Sequence, residues 1–362
     1  MHLVSLSVTN FRNLSGVEIN PSPGVNILHG NNGAGKTNLL EAIFVLCLSR
    51  SQRGATDSVM VKQGAEVYRI EGQIQQRGVM REVAVAYQRG GRKRITLDQV
   101  PVRARDLYEN YCAVALGPED TEILSGSPAV RRNFLDIYLS QFSSRYLACL
   151  VDYHKVLMHK NACLRLDGDP TPFNVLLVDH GAKIITARCE FIQELDRLAK
   201  ECYAEISNGG SLRLTYQPSI PLEAGQTETD EIGQSFKVAL AKHGERERSA
   251  QTSLVGPHRD EVLFQIGEYL ARTHGSQGEW RTAAIAIKLA IYRLLRDKRQ
   301  MRPVLLLDEV FAELDEQRSA ALTKSFADFG QLFMTTATEP PECLRQQGRK
   351  FSVREGTVQE VG

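Results

Sequence analysis

The chain has 362 residues, 44 lysines and arginines against 43 aspartates and glutamates, and 42% hydrophobic residues, a profile that excludes disorder and fibrous repeats and suits about two globular domains. A net charge of +1 gives no overall attraction to nucleic acid or membrane, so any such affinity has to come from local patches. The longest apolar run, Ala42 to Leu48, is far short of a membrane span of roughly 18 residues, no basic-then-apolar leader opens the sequence, and the seven cysteines lack Cys-x-x-Cys spacing; the expectation is a cytoplasmic protein with reduced thiols and no zinc site.

In chain order, Leu3 to Val8 alternates with period two and predicts a strand, after which Pro21-Ser22-Pro23-Gly24 turns the chain. Val25 to Leu28 predicts a short buried strand running into Gly30-Asn31-Asn32-Gly33-Ala34-Gly35-Lys36-Thr37, and Asn38 to Leu48 predicts a buried helix. Residues 67 to 102 hold short alternating runs broken by Gly72, Gly78 and Gly90-Gly91, the pattern of antiparallel strands laid on a core. From about residue 129 the period turns helical, through Phe134, Ile137, Tyr138 and Phe142 and then Tyr146, Leu150, Tyr153 and Leu157. Asp167-Gly168-Asp169-Pro170 breaks it, and a second helix from about Asn174 to Ile206 stops at Asn208-Gly209-Gly210, which makes a helical hairpin arm. Further on come a strand (Leu212 to Gln217), a helix (Glu231 to His243), a basic helix (Arg281 to Arg302), and the continuous apolar run Val304 to Leu307, which reads as a buried parallel strand.

Gly30-x-x-x-x-Gly35-Lys36-Thr37, after a strand and before a helix, satisfies the phosphate-loop pattern. Its glycines let the backbone turn tightly and aim N–H groups at phosphates, and the helix N-terminus adds positive potential. Gly30, Asn31, Asn32, Gly33, Ala34, Gly35, Lys36, Thr37 and Asn38 are therefore the candidate phosphate-binding residues, with Lys36 expected to reach the β and γ phosphates of a nucleotide and Thr37 to bind Mg²⁺. The run Val304 to Leu307 delivers Asp308 to a strand's C-terminal end, where ligands of open α/β sheets bind. Asp308 suits the magnesium shell, and Glu309 beside it suits the attacking water. Ser276-Gln277-Gly278-Glu279 opens the basic helix, and by itself is no more than a helix cap.

The order of these parts, phosphate loop, Ser-x-Gly helix start, apolar-Asp-Glu strand and then Glu313-Leu314-Asp315, resembles the ABC-type ATPases. That resemblance implies that Ser276 and Gly278 face the γ-phosphate held by a second head, so that ATP joins a homodimer. Lys36 and Ser276 are 240 residues apart, too many for a transporter head and too few for the long coiled coils of the chromosome-maintenance branch. Four further segments resemble the RecF family of recombination mediators: Leu6-x-x-Thr9-Asn10-Phe11-Arg12-Asn13; Pro118-Glu119-Asp120 with Gly126-Ser127-Pro128 and Arg131-Arg132-x-Phe134-Leu135-Asp136; Gly256-Pro257-His258-Arg259-Asp260; and Gly275-Ser276-Gln277-Gly278. Glu279 stands where the family commonly has Gln, Glu261 where a second Asp is usual, and Phe333 to Thr338 offers threonine where the switch segment has histidine.

The fold this implies is α/β: an ABC-type ATPase head, residues 1–128 and 246–362, with a P-loop core and flanking antiparallel strands, plus a mainly helical second lobe, residues 129–245. The resemblance further implies a catalytic set of Lys36, Asp308, Glu309 and Ser276, and Arg12 reaching the nucleotide rather than serving as a surface charge. It implies ATP and Mg²⁺ as cofactors, ATP-driven homodimerisation, and weak DNA-stimulated hydrolysis to ADP and phosphate. The function implied is binding of double- and single-stranded DNA at gaps, with RecO and RecR as partners, to load RecA during recombinational repair and replication-fork maintenance. For DNA itself, residues 86 to 105 hold six basic residues against Asp98 alone, and Arg89, Arg92, Lys93 and Arg94 suit phosphate contacts on a hairpin that could equally be a solvated face. The helix 281 to 302 is a second basic candidate, whereas His154 and His159, five apart, read as packing or surface residues.

Overall fold

The computed structural model describes residues 1–207, 209–223, 225–313, 316–324, 329–337, 344 and 348–361. Its contacts divide the chain into two compact units, one of Met1–Asp120, Glu205–Gly209 and Ala284–Gly362, the other of Thr121–Ala204 and Gly210–Ala283. Strands β1 (His2–Phe11), β2 (Leu14–Ile19), β3 (Val25–His29), β4 (Val67–Gln76), β5 (Val79–Gln88), β6 (Arg94–Leu97), β7 (Val100–Pro101) and β8 (Ala113–Leu116) belong to the first unit. Strands β9 (Leu212–Gln217), β10 (Glu261–Ile266) and β11 (Tyr269–Leu270) form a sheet of the second, and the chain returns to the first with β12 (Val304–Asp308), β13 (Leu332–Thr336), β14 (Arg349–Arg354) and β15 (Thr357–Val361).

The first unit carries two six-stranded sheets. One, in the order β2-β1-β4-β5-β6-β7, is antiparallel throughout and contains the strands expected over residues 67 to 102. The other runs β15-β14-β3-β13-β12-β8 and is parallel except for its outer hairpin. Every residue of β12 and β13 is buried, which is why their sequences are continuous rather than alternating. The helix Lys36–Leu48 has every residue from Leu39 onward buried because it packs against strands of both sheets, and that double cover explains an apolar surface all round the helix.

The second unit is built on the helices Pro128–Phe142, Ser144–Arg165, Thr171–Ser207 and Thr229–Ala250. The middle two form the expected hairpin, with His159 stacked on Phe173 at 6.5 Å, while His154 lies edge-on to Tyr153. The division departs from the expected boundaries, which placed 246–283 in the head. β10 pairs with β9, Glu261 opposite Gln217, and Arg131 holds Glu261 at 2.6 Å, so this stretch packs with the helices. At its centre Arg188, 1% exposed, donates to Asp136 (2.8 Å), Asp260 (3.3 Å), Tyr146 (3.1 Å) and the Pro257 carbonyl (2.7 Å). Among the described residues no helix is long and apolar enough to cross a membrane.

Candidate nucleotide site

β3 ends at His29 and the chain turns through Gly30, Gly33 and Gly35, all at positive φ (157°, 79° and 113°). Gly30 must be glycine for want of space as well, since a Cβ there would collide with the Val353 carbonyl oxygen, while one on Gly35 would press on the Asn13 side chain at 2.9 Å. The helix Lys36–Leu48 starts here without a side-chain cap and with no acidic residue in its first turn, so its N-terminal potential is left to an external anion. Lys36, 4% exposed, folds back into the loop, donating to the carbonyls of Gly30 (2.6 Å) and Asn31 (3.2 Å) and pairing with Glu309 at 3.0 Å.

In the parallel sheet β13 lies between β3 and β12, and the carboxylates meet the loop across it. The Thr37 hydroxyl is 2.9 and 2.8 Å from the two carboxylate oxygens of Asp308. One carboxylate and one hydroxyl fit Mg²⁺, which takes few protein oxygens and completes its shell with phosphate and water. Glu309 has left the strand, with φ at 50°. Its N–H donates to the Thr335 hydroxyl (2.9 Å), which donates in turn to Asp308 (2.6 Å), and its carboxylate accepts from Ala337 N–H at 3.1 Å. Thr335 of the expected switch segment is thus committed to the two acids, while Thr338, Leu314 and Asp315 lie outside the described residues.

Arg12 forms a two-bond fork with Glu41, 2.9 Å in each arm. It also lines, with Asn13, Asn38, Arg53 and Arg89, a cleft of about 630 Å³, whereas Asn31, Asn32 and Ala34 line a second, of about 860 Å³, with Ser352 and Arg354. Ser276 and Gly278 belong to the second unit. There Ser276 caps the helix Gln277–Arg299 reciprocally with Glu279: the Ser276 N–H and hydroxyl each donate to the Glu279 carboxylate at 2.8 Å, holding that carboxyl below the usual range. Of the basic hairpin, Lys93 is spent on the Ser49 carbonyl (2.7 Å) and Asp57 (2.9 Å) and Arg89 on the Ala65 carbonyl (3.1 Å), while Arg92 and Arg94 are exposed. In the basic helix, Lys288 is buried against Asp120 and the Ala115 carbonyl, each 2.7 Å, Arg293 pairs with Glu205, and Arg299 holds the Tyr108 carbonyl.

Three residues near the loop were given no role of their own in the sequence reading. Asn13 donates to the Gly33 carbonyl (3.2 Å) and accepts from Asn38 (2.8 Å); in sequence it is only a polar residue in a tight turn. Glu41 is fully buried, and an acid inside an apolar helix was a legible sign that a cation such as Arg12 had to meet it. Glu119 pairs with Arg53; burial still pushes its carboxyl above the usual range, and the charges of Asp120 and Asp308 push the same way.

The family model for the RecF/RecN/SMC N terminal domain matches residues 2–354. The DNA replication and repair protein RecF of Latilactobacillus sakei is 34% identical over 371 residues, covering 99% of each chain, and that of Halalkalibacterium halodurans is 34% identical over 373 residues, covering 100% of each. A solved structure of the recombination mediator protein RecF-ATP in the RecFOR pathway superimposes with a TM-score of 0.92 at 30% identity, covering 100% of this chain and 98% of that one.

Proposed function

The chain belongs to the RecF family of ABC/SMC-type ATPases, and from that premise we propose that it is an ATP-dependent DNA-binding protein of replication and recombinational repair. The observation that carries this reading is the junction of Thr37 with Asp308 beside a buried Lys36. Both halves of a phosphate and metal site are held together at the C-terminal ends of β3 and β12. ATP would lie on the loop with Lys36 at its terminal phosphates, and Mg²⁺ would be bound by Thr37 and Asp308. Glu309 then activates water once Lys36 turns from its carboxylate to the phosphates.

On this reading Ser276 and Gly278 of one copy engage the γ-phosphate on a second copy, and slow, DNA-stimulated hydrolysis parts the pair. The proposal extends to DNA gaps as the binding site, RecO and RecR as partners and help in loading RecA, and family membership supports that extension. Light scattering with and without ATP and Mg²⁺, on the parent and on Ser276→Arg, tests the mechanism. The expected result is an ATP-dependent dimer that the substitution abolishes and that a gapped duplex tightens. A parent that binds ATP yet stays monomeric excludes the two-head mechanism.

A further inference from the structure

β14 and β15 are joined by the two-residue turn Glu355-Gly356, with Arg354 opposite Thr357 and φ of 47° and 77°, the backbone that a tight hairpin of this length favours. β14 runs parallel to β3, Ser352 opposite His29, so the turn reaches the far end of the phosphate loop. The Gly356 N–H donates to the Ala34 carbonyl at 2.9 Å. A Cβ on Gly356 would collide with the Asn13 carbonyl oxygen, and the Asn13 side chain donates to the Gly33 carbonyl of the loop. The family match ends at Arg354, two residues before this glycine.

In a planar trans peptide the carbonyl of one residue and the N–H of the next point in opposite directions. Fixing the Ala34 carbonyl toward Gly356 therefore turns the Gly35 N–H to the opposite face of the loop. Ala34 N–H is already used, on the Asn31 carbonyl at 3.2 Å, which makes Gly35 N–H the donor whose aim this bond decides. We propose that Gly356 is a positioning residue for nucleotide binding: the C-terminal hairpin turn orients Gly35 N–H toward the bound phosphates. This rests on the nucleotide-site reading above.

The test compares Gly356→Ala with Arg349→Ala, which removes the Arg349–Glu360 pair across the same hairpin (2.6 Å) without touching the loop. Calorimetric titration with Mg-ATP, Mg-ADP and adenosine is paired with the amide resonance of Gly35. Gly356→Ala is expected to bind ATP and ADP at least tenfold more weakly, with adenosine unchanged and the phosphate-induced shift of Gly35 lost, while Arg349→Ala keeps the parent's affinities. Parent-like ATP binding by a folded Gly356→Ala overturns the proposal. Should that variant not fold, hydrogen exchange on the parent decides: Gly356 N–H protected and slowed further by an ATP analogue supports the role, and free exchange in the ATP-bound state overturns it. A parent that binds no ATP overturns the nucleotide site, and the turn's role with it.

Discussion

Thr37 and Asp308, 271 positions apart in sequence, share one hydroxyl proton: Thr37 Oγ1 lies 2.8 and 2.9 Å from the two oxygens of the carboxylate. On the proposed reading, Thr37 and Asp308 would be the protein ligands of Mg²⁺ at this junction. Asp308→Asn is expected to lower Mg²⁺-dependent ATP hydrolysis by roughly 10²-fold or more without unfolding the chain. Phosphate release at rising Mg²⁺ checks it, and parent-like rates at every concentration would refute the assignment.

Glu309 holds Lys36 at 3.0 Å and stands beside the proposed metal site. Glu309→Gln removes both the proposed base and the anion that pairs with Lys36. Turnover is expected to fall by about 10²-fold while ATP affinity stays equal or rises. Parallel measurements of nucleotide affinity and single-turnover hydrolysis separate the two effects, and loss of affinity alone would count against the base role.

Arg188 lies between Asp136 and Asp260 inside the second unit. Arg188→Met removes the guanidinium bonded to both carboxylates, a change expected to cost about 3 to 5 kcal/mol. Urea unfolding followed by far-ultraviolet circular dichroism measures it.

Burial depresses His258 from its ordinary value of 6.5 to about 3. Its ring takes the Tyr153 hydroxyl at Nδ1 (2.7 Å) and faces the Ser253 carbonyl with Nε2 at 3.2 Å, which assigns the proton to Nε2. Above pH 6.5 the residue is neutral folded and unfolded alike. As pH falls from 6.5 toward 3 only the unfolded chain takes up the proton, so folding loses about 2 kcal/mol by pH 5 from this residue. His258→Gln should be less stable at pH 7 but lose correspondingly less between pH 7 and 5. Denaturant midpoints at the two pH values decide it, and equal losses would exclude His258 as the source.

Lys93 is held by the Ser49 carbonyl and Asp57, whereas Arg92 and Arg94 are exposed and are the residues of the hairpin proposed to meet a phosphate backbone. Arg92→Ala and Arg94→Ala should each weaken DNA binding and lower the salt dependence by about one counterion. Lys93→Ala should instead lower the melting temperature. DNA affinity from 50 to 200 mM salt distinguishes the three, and an unchanged slope in both arginine variants would remove this hairpin from the interface.

The phosphate loop, the Asp308 strand and the helical hairpin were legible in sequence because each is a local pattern: glycine spacing before a helix, a run buried on both faces, and apolar residues at helical period. Long-range side-chain pairing was not. Arg12 read as a nucleotide contact, and only the fold shows it forked onto Glu41; the basic residues of the helix Gln277–Arg299 likewise read as a charged face until Lys288 was found buried on Asp120. The boundary near residue 246 was missed for the same reason, since the partners of Glu261 sit at Gln217 and Arg131, beyond the reach of any local period.

The sheet order also sets when this protein can become itself. β3 lies between β13 and β14, strands that begin at Leu332 and Arg349, so at 5 to 20 residues per second the ribosome needs roughly 15 to 60 s after making β3 to deliver its neighbours. Once β4 to β7 have followed, the helix Lys36–Leu48 has the antiparallel sheet to lean on but not the completed parallel one, and its other flank stays uncovered. The nascent chain is therefore a natural client for a holding chaperone, and a truncation anywhere before β13 is expected to yield aggregate rather than a smaller working head.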